Sequence, residues 1–349
     1  MSINASSAFE LNGRTLKESV KQVIEAGLVP FIKGQPGVGK SDILQSLAKT
    51  YNLELIDIRL SGYEPSDLSG LPFRDGDKSR FLPTDLIPIE GDEIPKGKDG
   101  WLVLLDEFNH AHPAMIRVSY KLLHDKMIGQ SKIHDNVIVV LAGNRMQDNA
   151  LTNAIGSAAN SRVTHLNLGV DPAQWIEDFA IPNDIDYRVQ GFINAFPDRL
   201  NDFNPDDDSQ LEHSFCCPRT WHNVSKIVKD SESVGDLSAA IVGTISVGVA
   251  YEFIQFCSVY DTLVTIDQIV KDPKACPVPT DSATKWATTS MLAMNVDKDN
   301  LQAFHEYVER FPIDNRIIFM RNIGHSHPEL AKTQTHRDFQ IKLGKYING

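Results

Sequence analysis

Gly34-Gln35-Pro36-Gly37-Val38-Gly39-Lys40-Ser41 is the stretch that decides the fold. It fits the spacing G-x-x-x-x-G-K-[ST]. Glycine lacks a Cβ, so the chain can curl until successive backbone N–H groups face one point, and such a concavity suits an anion. Lys40 adds a mobile cation, and Ser41 a hydroxyl able to reach a divalent metal. The apolar run Leu28-Val29-Pro30-Phe31-Ile32 comes just before, and Asp42 to Tyr51 reads as a helix just after. A strand, a glycine turn and a helix in succession aim the helix's positive end at the same anion. With ordinary residue usage, chance matches in a chain of this length are on the order of one per cent. The pattern implies a nucleotide cradle of Gly34, Gln35, Pro36, Gly37, Val38, Gly39, Lys40, Ser41 and Asp42.

About 65 residues further on, Leu102-Val103-Leu104-Leu105-Asp106-Glu107 is an apolar strand ending in two carboxylates. In a parallel sheet such an end faces the ligand crevice. Asp106, with Ser41, is the expected holder of a magnesium ion, and Glu107 the group that polarises an attacking water. Another apolar run, Val137 to Ala142, leads into Gly143-Asn144-Arg145, where the Asn144 amide can hold that water from the other side. Leu53 to Ile58 and Val163 to Leu168 complete five candidate strands. Helical patterns separate them, as expected of a parallel sheet covered on both faces.

After about residue 170 the pattern changes. Trp175 to Ala180, Arg188 to Phe196, Arg219 to Lys229, Leu237 to Phe256, Asp281 to Met294 and Asn300 to Arg310 read as helices, separated by prolines and acidic clusters. The expected organisation is an α/β core over residues 1–175 and a mostly helical lid and extension over residues 176–349.

The chain has 349 residues, 42% of them hydrophobic and 23% charged, which argues against global disorder. Its net charge of −12 counts against a general nucleic-acid binder. Four cysteines without a C-x-x-C fit a reducing compartment. The N-terminal residues lack a basic and apolar leader, and no apolar run reaches the ~18 residues of a membrane span, so a cytoplasmic location is expected.

The chain resembles an AAA+ ATPase, and within that group it is similar to the MoxR branch. The matching pieces are GQPGVGKS, SDLSGLP (Ser66 to Pro72), LLDEFNHAHPA (Leu104 to Ala114), LAGNR (Leu141 to Arg145), NSRVTHLNL (Asn160 to Leu168) and CPRTWHNVS (Cys217 to Ser225). They run in the family's order over roughly residues 15 to 230. The resemblance implies an AAA+ P-loop core, ATP and Mg²⁺ as ligands, and roles by position. Lys40 and Ser41 fall on the phosphate loop, Asp106 and Glu107 on the metal and water-activating pair, and Asn144 on the first sensor. Arg162 falls on the arginine finger, with Arg145 and Arg117 as alternatives, and Arg219 on the second sensor of the lid. A finger neutralises charge spreading over the γ-phosphate oxygens. His110 stands where the family often has arginine. The family forms rings, commonly hexamers, and MoxR-like members act with a von Willebrand factor A domain partner; a homo-oligomer and a protein client are therefore implied.

The implied function is ATP hydrolysis in a ring that remodels a protein client. The alternatives are a nucleic-acid-directed AAA+ ATPase, such as a helicase loader or restriction-type motor, and a nucleotide-dependent scaffold. Among other groups, His213, Cys216, Cys217 and His222 offer zinc-ligand types, but adjacent cysteines chelate one ion poorly. Trp175 and Trp221 read as core residues. Asp206-Asp207-Asp208 reads as a solvated turn, and His325 and His327 as loop histidines. In the polar segment Ser61 to Pro88, which in the family carries inserts facing the ring pore, Tyr63, Phe73, Arg74 and Phe81 are candidates to touch a substrate.

Overall fold

A computed structural model describes residues 9–148, 155–231, 233–258 and 263–347. The reading of the N-terminus as leader-free falls partly on residues 1–8, outside the described residues. The chain divides into two compact units. One runs to Val170 and includes Asn204–Asp206; the other comprises Asp171–Phe203 and the residues from Asp207 on.

The first unit contains β1 (Glu10–Leu11), α1 (Gly13–Glu25), β2 (Val29–Gly34), α2 (Lys40–Thr50), β3 (Leu53–Arg59), α3 (Pro65–Ser69), β4 (Leu71–Asp75), β5 (Lys78–Leu82) and β6 (Gly100–Asp106). It continues with α4 (Pro113–Asp125), β7 (Met127–Ile128), β8 (Ser131–Lys132), β9 (Val137–Gly143), α5 (Gly156–Asn160) and β10 (Val163–Leu168). Six strands form one sheet in the order β1-β10-β2-β9-β6-β3, and every neighbouring pair is parallel. All five expected strands are in it. The sixth, β1, adds only Glu10 and Leu11, beside Asn167 and Leu168. Two residues are too short to show a period, so nothing in the sequence announced it.

The continuous apolar runs follow from burial on both faces. Ile32, Leu102, Leu104, Val140 and Ala142 pack with Leu16 and Val20 of α1 and Leu44, Leu47 and Ala48 of α2. The alternate residues Phe31, Trp101, Val103, Leu105 and Leu141 pack with Met115, Ile116 and Leu122 of α4. Strand side chains alternate, so Asp106 continues the Leu102–Leu104 face toward α2, and Asn144 continues the Val140–Ala142 face. The C-terminal tips of the adjacent strands β2, β9 and β6 therefore carry Gly34, Gly143 and Asp106 side by side.

Ser61 to Pro88 is more structured than a polar loop. It holds α3 and a β4–β5 hairpin whose ten residues are all exposed. Asp75 pairs with Lys78 across Gly76-Asp77, and Gly76 has φ 63°. Gly70, at φ 85°, would bring an added Cβ within 2.2 Å of the Leu82 carbonyl oxygen. No other residue type fits there without moving the backbone. Phe73, Arg74 and Phe81 are exposed on the hairpin, whereas Tyr63 packs against the unit's own core.

The second unit is helical: α6 (Pro172–Trp175), passing into a π-helical stretch at Ile176–Ala180, then α7 (Tyr187–Ala195), α8 (Pro218–Val228), α9 (Ser238–Val242) and α10 (Val247–Ser258). Then come α11 (Ile266–Lys271), α12 (Ser282–Met294), α13 (Leu301–Val308), α14 (Ile313–Ser326), α15 (Pro328–Ala331) and α16 (Gln334–Ile347). The expected helix from Leu237 to Phe256 is two, broken at Gly243–Ser246. Glycine is a weak helix former, and the Thr244 hydroxyl donates to the Ala240 carbonyl at 2.7 Å. His325 lies in the last turn of α14 rather than in a loop, because Ile318, Phe319 and Ile323 give that segment a buried face. Trp221 is fully buried against Phe192 and Phe253, with its indole N–H donating to the Arg199 carbonyl at 2.8 Å.

Candidate active site

The glycine turn links β2 to α2 as its residue types require. Gly37 and Gly39 have φ of 73° and 92°, in the left-handed region that side chains resist. Gly39 caps α2, and the helix opens with Lys40, Ser41 and Asp42. The first N–H groups of a helix lack partners within it and remain available to an anion. The Asp42 carboxylate is exposed, so its contribution to such a cradle is its backbone N–H.

Lys40 Nζ donates to the carbonyls of Gly34 at 2.8 Å and Gln35 at 2.9 Å, and to Asn144 Oδ1 at 3.0 Å. An ammonium only donates, so the Asn144 amide must turn its oxygen to Lys40 and its nitrogen away. That nitrogen lies 3.5 Å from His110 Nε2. Ser41 Oγ donates to Asp106 Oδ2 at 3.3 Å, while Asp106 Oδ1 accepts the backbone N–H of Glu107 at 2.8 Å. A hydroxyl and a carboxylate oxygen so close form a hard-oxygen pair that fits magnesium. Glu107 has φ 54°, a strained value for a residue with a Cβ. Its carboxylate accepts the Ser61 hydroxyl.

Five expected residues thus converge: Lys40, Ser41, Asp106, Glu107 and Asn144. Arg162 does not lie at the same end of the sheet. It precedes β10, whose Val163 pairs with Val29 at the start of β2, whereas the glycine turn follows Gly34 at the end of β2. Five steps of about 3.3 Å separate the two ends by about 17 Å. Arg145 binds Asp148 through its backbone N–H and Nε and reaches Glu10, so its side chain serves its own chain. Arg117 is exposed on α4. Arg219 is exposed in the first turn of α8. A buried Asp186–Arg188 ion pair helps hold that helix, with Arg188 donating to the Val228 carbonyl and the Asp186 backbone N–H to Ser225 Oγ at 2.8 Å.

The structure adds three groups not singled out from the sequence. Asp57 on β3 has its carboxyl raised above the ordinary range by partial loss of water and by the charges of Asp106 and Glu107. Its only sequence signal was a polar residue two places before Arg59, which pairs with Asp106. Ser61 meets Glu107, and Asn109 clasps the backbone of Asn144. Apart from these three, His112 caps α4, with Nδ1 accepting from Ala114 N–H at 3.3 Å.

Elsewhere, Cys216 and Cys217 are buried, burial pushing the Cys216 thiol up to about 12. No group of three or more metal-ligating side chains occurs among the described residues. Asp207 accepts the Ser209 N–H in a local turn.

Residues 30–163 match the family model described as an AAA domain of the dynein-related subfamily. The core has the AAA+ P-loop fold. Solved structures with a distant likeness include a point mutant of RuvB from Thermotoga maritima, 14% identical over 85% of each chain with a TM-score of 0.36. Another is NtrX from Brucella abortus in complex with ADP, 13% identical over 95% of this chain and 68% of that one, with a TM-score of 0.39. No curated protein sequence matches the chain. The AAA+ core spans the glycine turn, the Asp106–Glu107 strand tip and Asn144, so the matched residues and the converging side chains coincide.

Proposed function

We propose that the chain binds Mg-ATP at the tips of β2, β9 and β6 and hydrolyses it. The observation that carries this reading is Lys40 Nζ poised between the glycine turn and Asn144 Oδ1, with Ser41 and Asp106 joined beside it. Lys40 can transfer its N–H donors from the turn carbonyls to phosphate oxygens. Ser41 and Asp106 would hold the magnesium ion, which when bound neutralises charge on the phosphates. Glu107 takes a proton from water, and the Asn144 amide fixes that water's position. Gly34 to Asp42 wrap the phosphates, with Gln35, Pro36 and Val38 as spacers that shape the turn.

Arg162 is the group we assign to a neighbouring subunit's nucleotide. Its place at the far end of the sheet supports this, because it cannot serve the phosphates of its own chain from there. Hydrolysis would then require a homo-oligomer, in the MoxR-like reading a hexameric ring. Arg219 would sense the nucleotide from the helical region. The client would be a protein chain engaged by the exposed Phe73, Arg74 and Phe81, with a von Willebrand factor A domain protein as partner and a cytoplasmic setting. The net charge of −12 favours this over a nucleic-acid client.

Phosphate release tests the proposal. Wild-type protein should turn over ATP, and Glu107→Gln should bind it yet fall by roughly 10²–10⁴-fold in rate, the contribution typical of a general base. Equal rates in the two proteins would remove Glu107 from the reaction.

A further inference from the structure

The turn after β6 and the tip of β9 are tied together by a side chain that the proposed reaction does not use. Asn109 is 3% exposed. Its Nδ2 donates to the Asn144 carbonyl at 2.7 Å, and its Oδ1 accepts the Asn144 backbone N–H at 3.2 Å. The amide thus pairs with both backbone groups of one residue as a neighbouring strand would, satisfying them just past the end of the β-ladder. One residue earlier, Phe108 N–H donates to the Ala142 carbonyl at 3.0 Å. One residue later, His110 N–H donates to the Glu107 carbonyl at 2.8 Å, closing the turn that holds Glu107 at φ 54°.

Gly143 completes the fit. A Cβ there would lie 2.2 Å from Asn109 Oδ1 and 3.1 Å from Phe31 Cε2. Gly143 itself lies in β9 without a positive φ, so what excludes a side chain is this space and not the backbone.

We infer that Asn109 is a positioning residue that makes the Glu107 turn and the Asn144 tip one rigid body. This rests on the hydrolysis reading above. Asn109 reaches no phosphate in that reading; it acts through the two groups that would line up water from opposite sides. With Asn144 clasped at both backbone atoms, its Oδ1 stays on Lys40 Nζ, and the distance from Glu107 to Asn144 is fixed before nucleotide arrives. Misplacement by about 1 Å at such a site costs about a hundredfold in rate without a matching loss of binding.

Asn109→Asp tests the inference at nearly constant volume. It keeps an acceptor for the Asn144 N–H and sets a second oxygen against the Asn144 carbonyl. Expected are a fall in turnover of roughly tenfold or more, affinity for a non-hydrolysable ATP analogue within about threefold of wild type, and faster hydrogen exchange at the Asn144 amide. Gly143→Ala, made separately, should reproduce these changes, and should add less in an Asn109→Ala background than alone, because the oxygen it strikes is gone and only the Phe31 contact remains. Turnover within about twofold of wild type in Asn109→Asp, unchanged exchange at Asn144, or fully additive effects of the two sites would each overturn it. A wild-type protein that does not hydrolyse ATP would count against the hydrolysis reading instead, and the exchange rate at Asn144 would still decide whether the tie exists.

Discussion

Asp106 divides its two oxygens between Ser41 Oγ and the Glu107 backbone N–H, so one carboxylate links the proposed metal position to the turn bearing the proposed base. Asp106→Asn keeps the shape and removes the charge. It should raise the magnesium concentration for half-maximal turnover by roughly tenfold or more, since a charge-assisted contact contributes about 1.5–3 kcal/mol. A magnesium titration of phosphate release checks this, and an unshifted midpoint would free Asp106 of the metal. Lys40, Ser41, Asp106 and Glu107 were legible in the sequence because they sit within short patterns whose spacing is itself the constraint. Ser61 and Asp57 were not, because each gains its meaning only from a strand tip about 50 residues away. Asn109 stood inside a quoted segment, yet its partner is the Asn144 backbone, which no side-chain pattern records.

At the scale of elements, the buried strands were legible because burial on both faces demands unbroken apolar runs, as in Trp101 to Leu105. The two-residue β1 and the exposed β4–β5 hairpin were not, since neither is patterned by a core. The helical unit hides another feature. His305 of α13 and His336 of α16 are buried with Nε2 and Nδ1 3.3 Å apart, and the His305 ring lies tilted against Phe339, 4.1 Å between ring centres. Burial, then the neighbouring His336 and Lys342, push His305 down to about 3, and burial lowers His336 as well. Lys342 is itself paired with Glu309. The folded chain therefore holds both rings neutral where the unfolded chain, with histidines near the ordinary 6.5, takes up protons. Stability from this pair is full above about pH 6.5 and is lost as pH falls toward 3. Thermal unfolding followed by circular dichroism should show a lower midpoint at pH 5 than at pH 7.5, and His336→Phe should shrink that difference. An unchanged difference would mean the pair does not titrate on unfolding.

For the whole molecule, the far-end position of Arg162 makes a distinct expectation. Arg162→Ala should abolish turnover alone, yet recover it when mixed with a Lys40→Ala chain, because each supplies what the other lacks across a subunit boundary. No recovery in the mixture would argue that Arg162 does not act in trans. No helix among the described residues is long and apolar enough to cross a membrane. The expectations for turnover depend on a triphosphate seated in the glycine turn. Calorimetric titration of the wild-type chain and of Lys40→Ala with Mg-ATP tests that seat most directly. Saturable binding by the wild type, weakened about 10–100-fold in the variant, is the result expected from losing one charged contact. Absence of adenine-nucleotide binding by the wild type, or equal affinity in the two proteins, would contradict it.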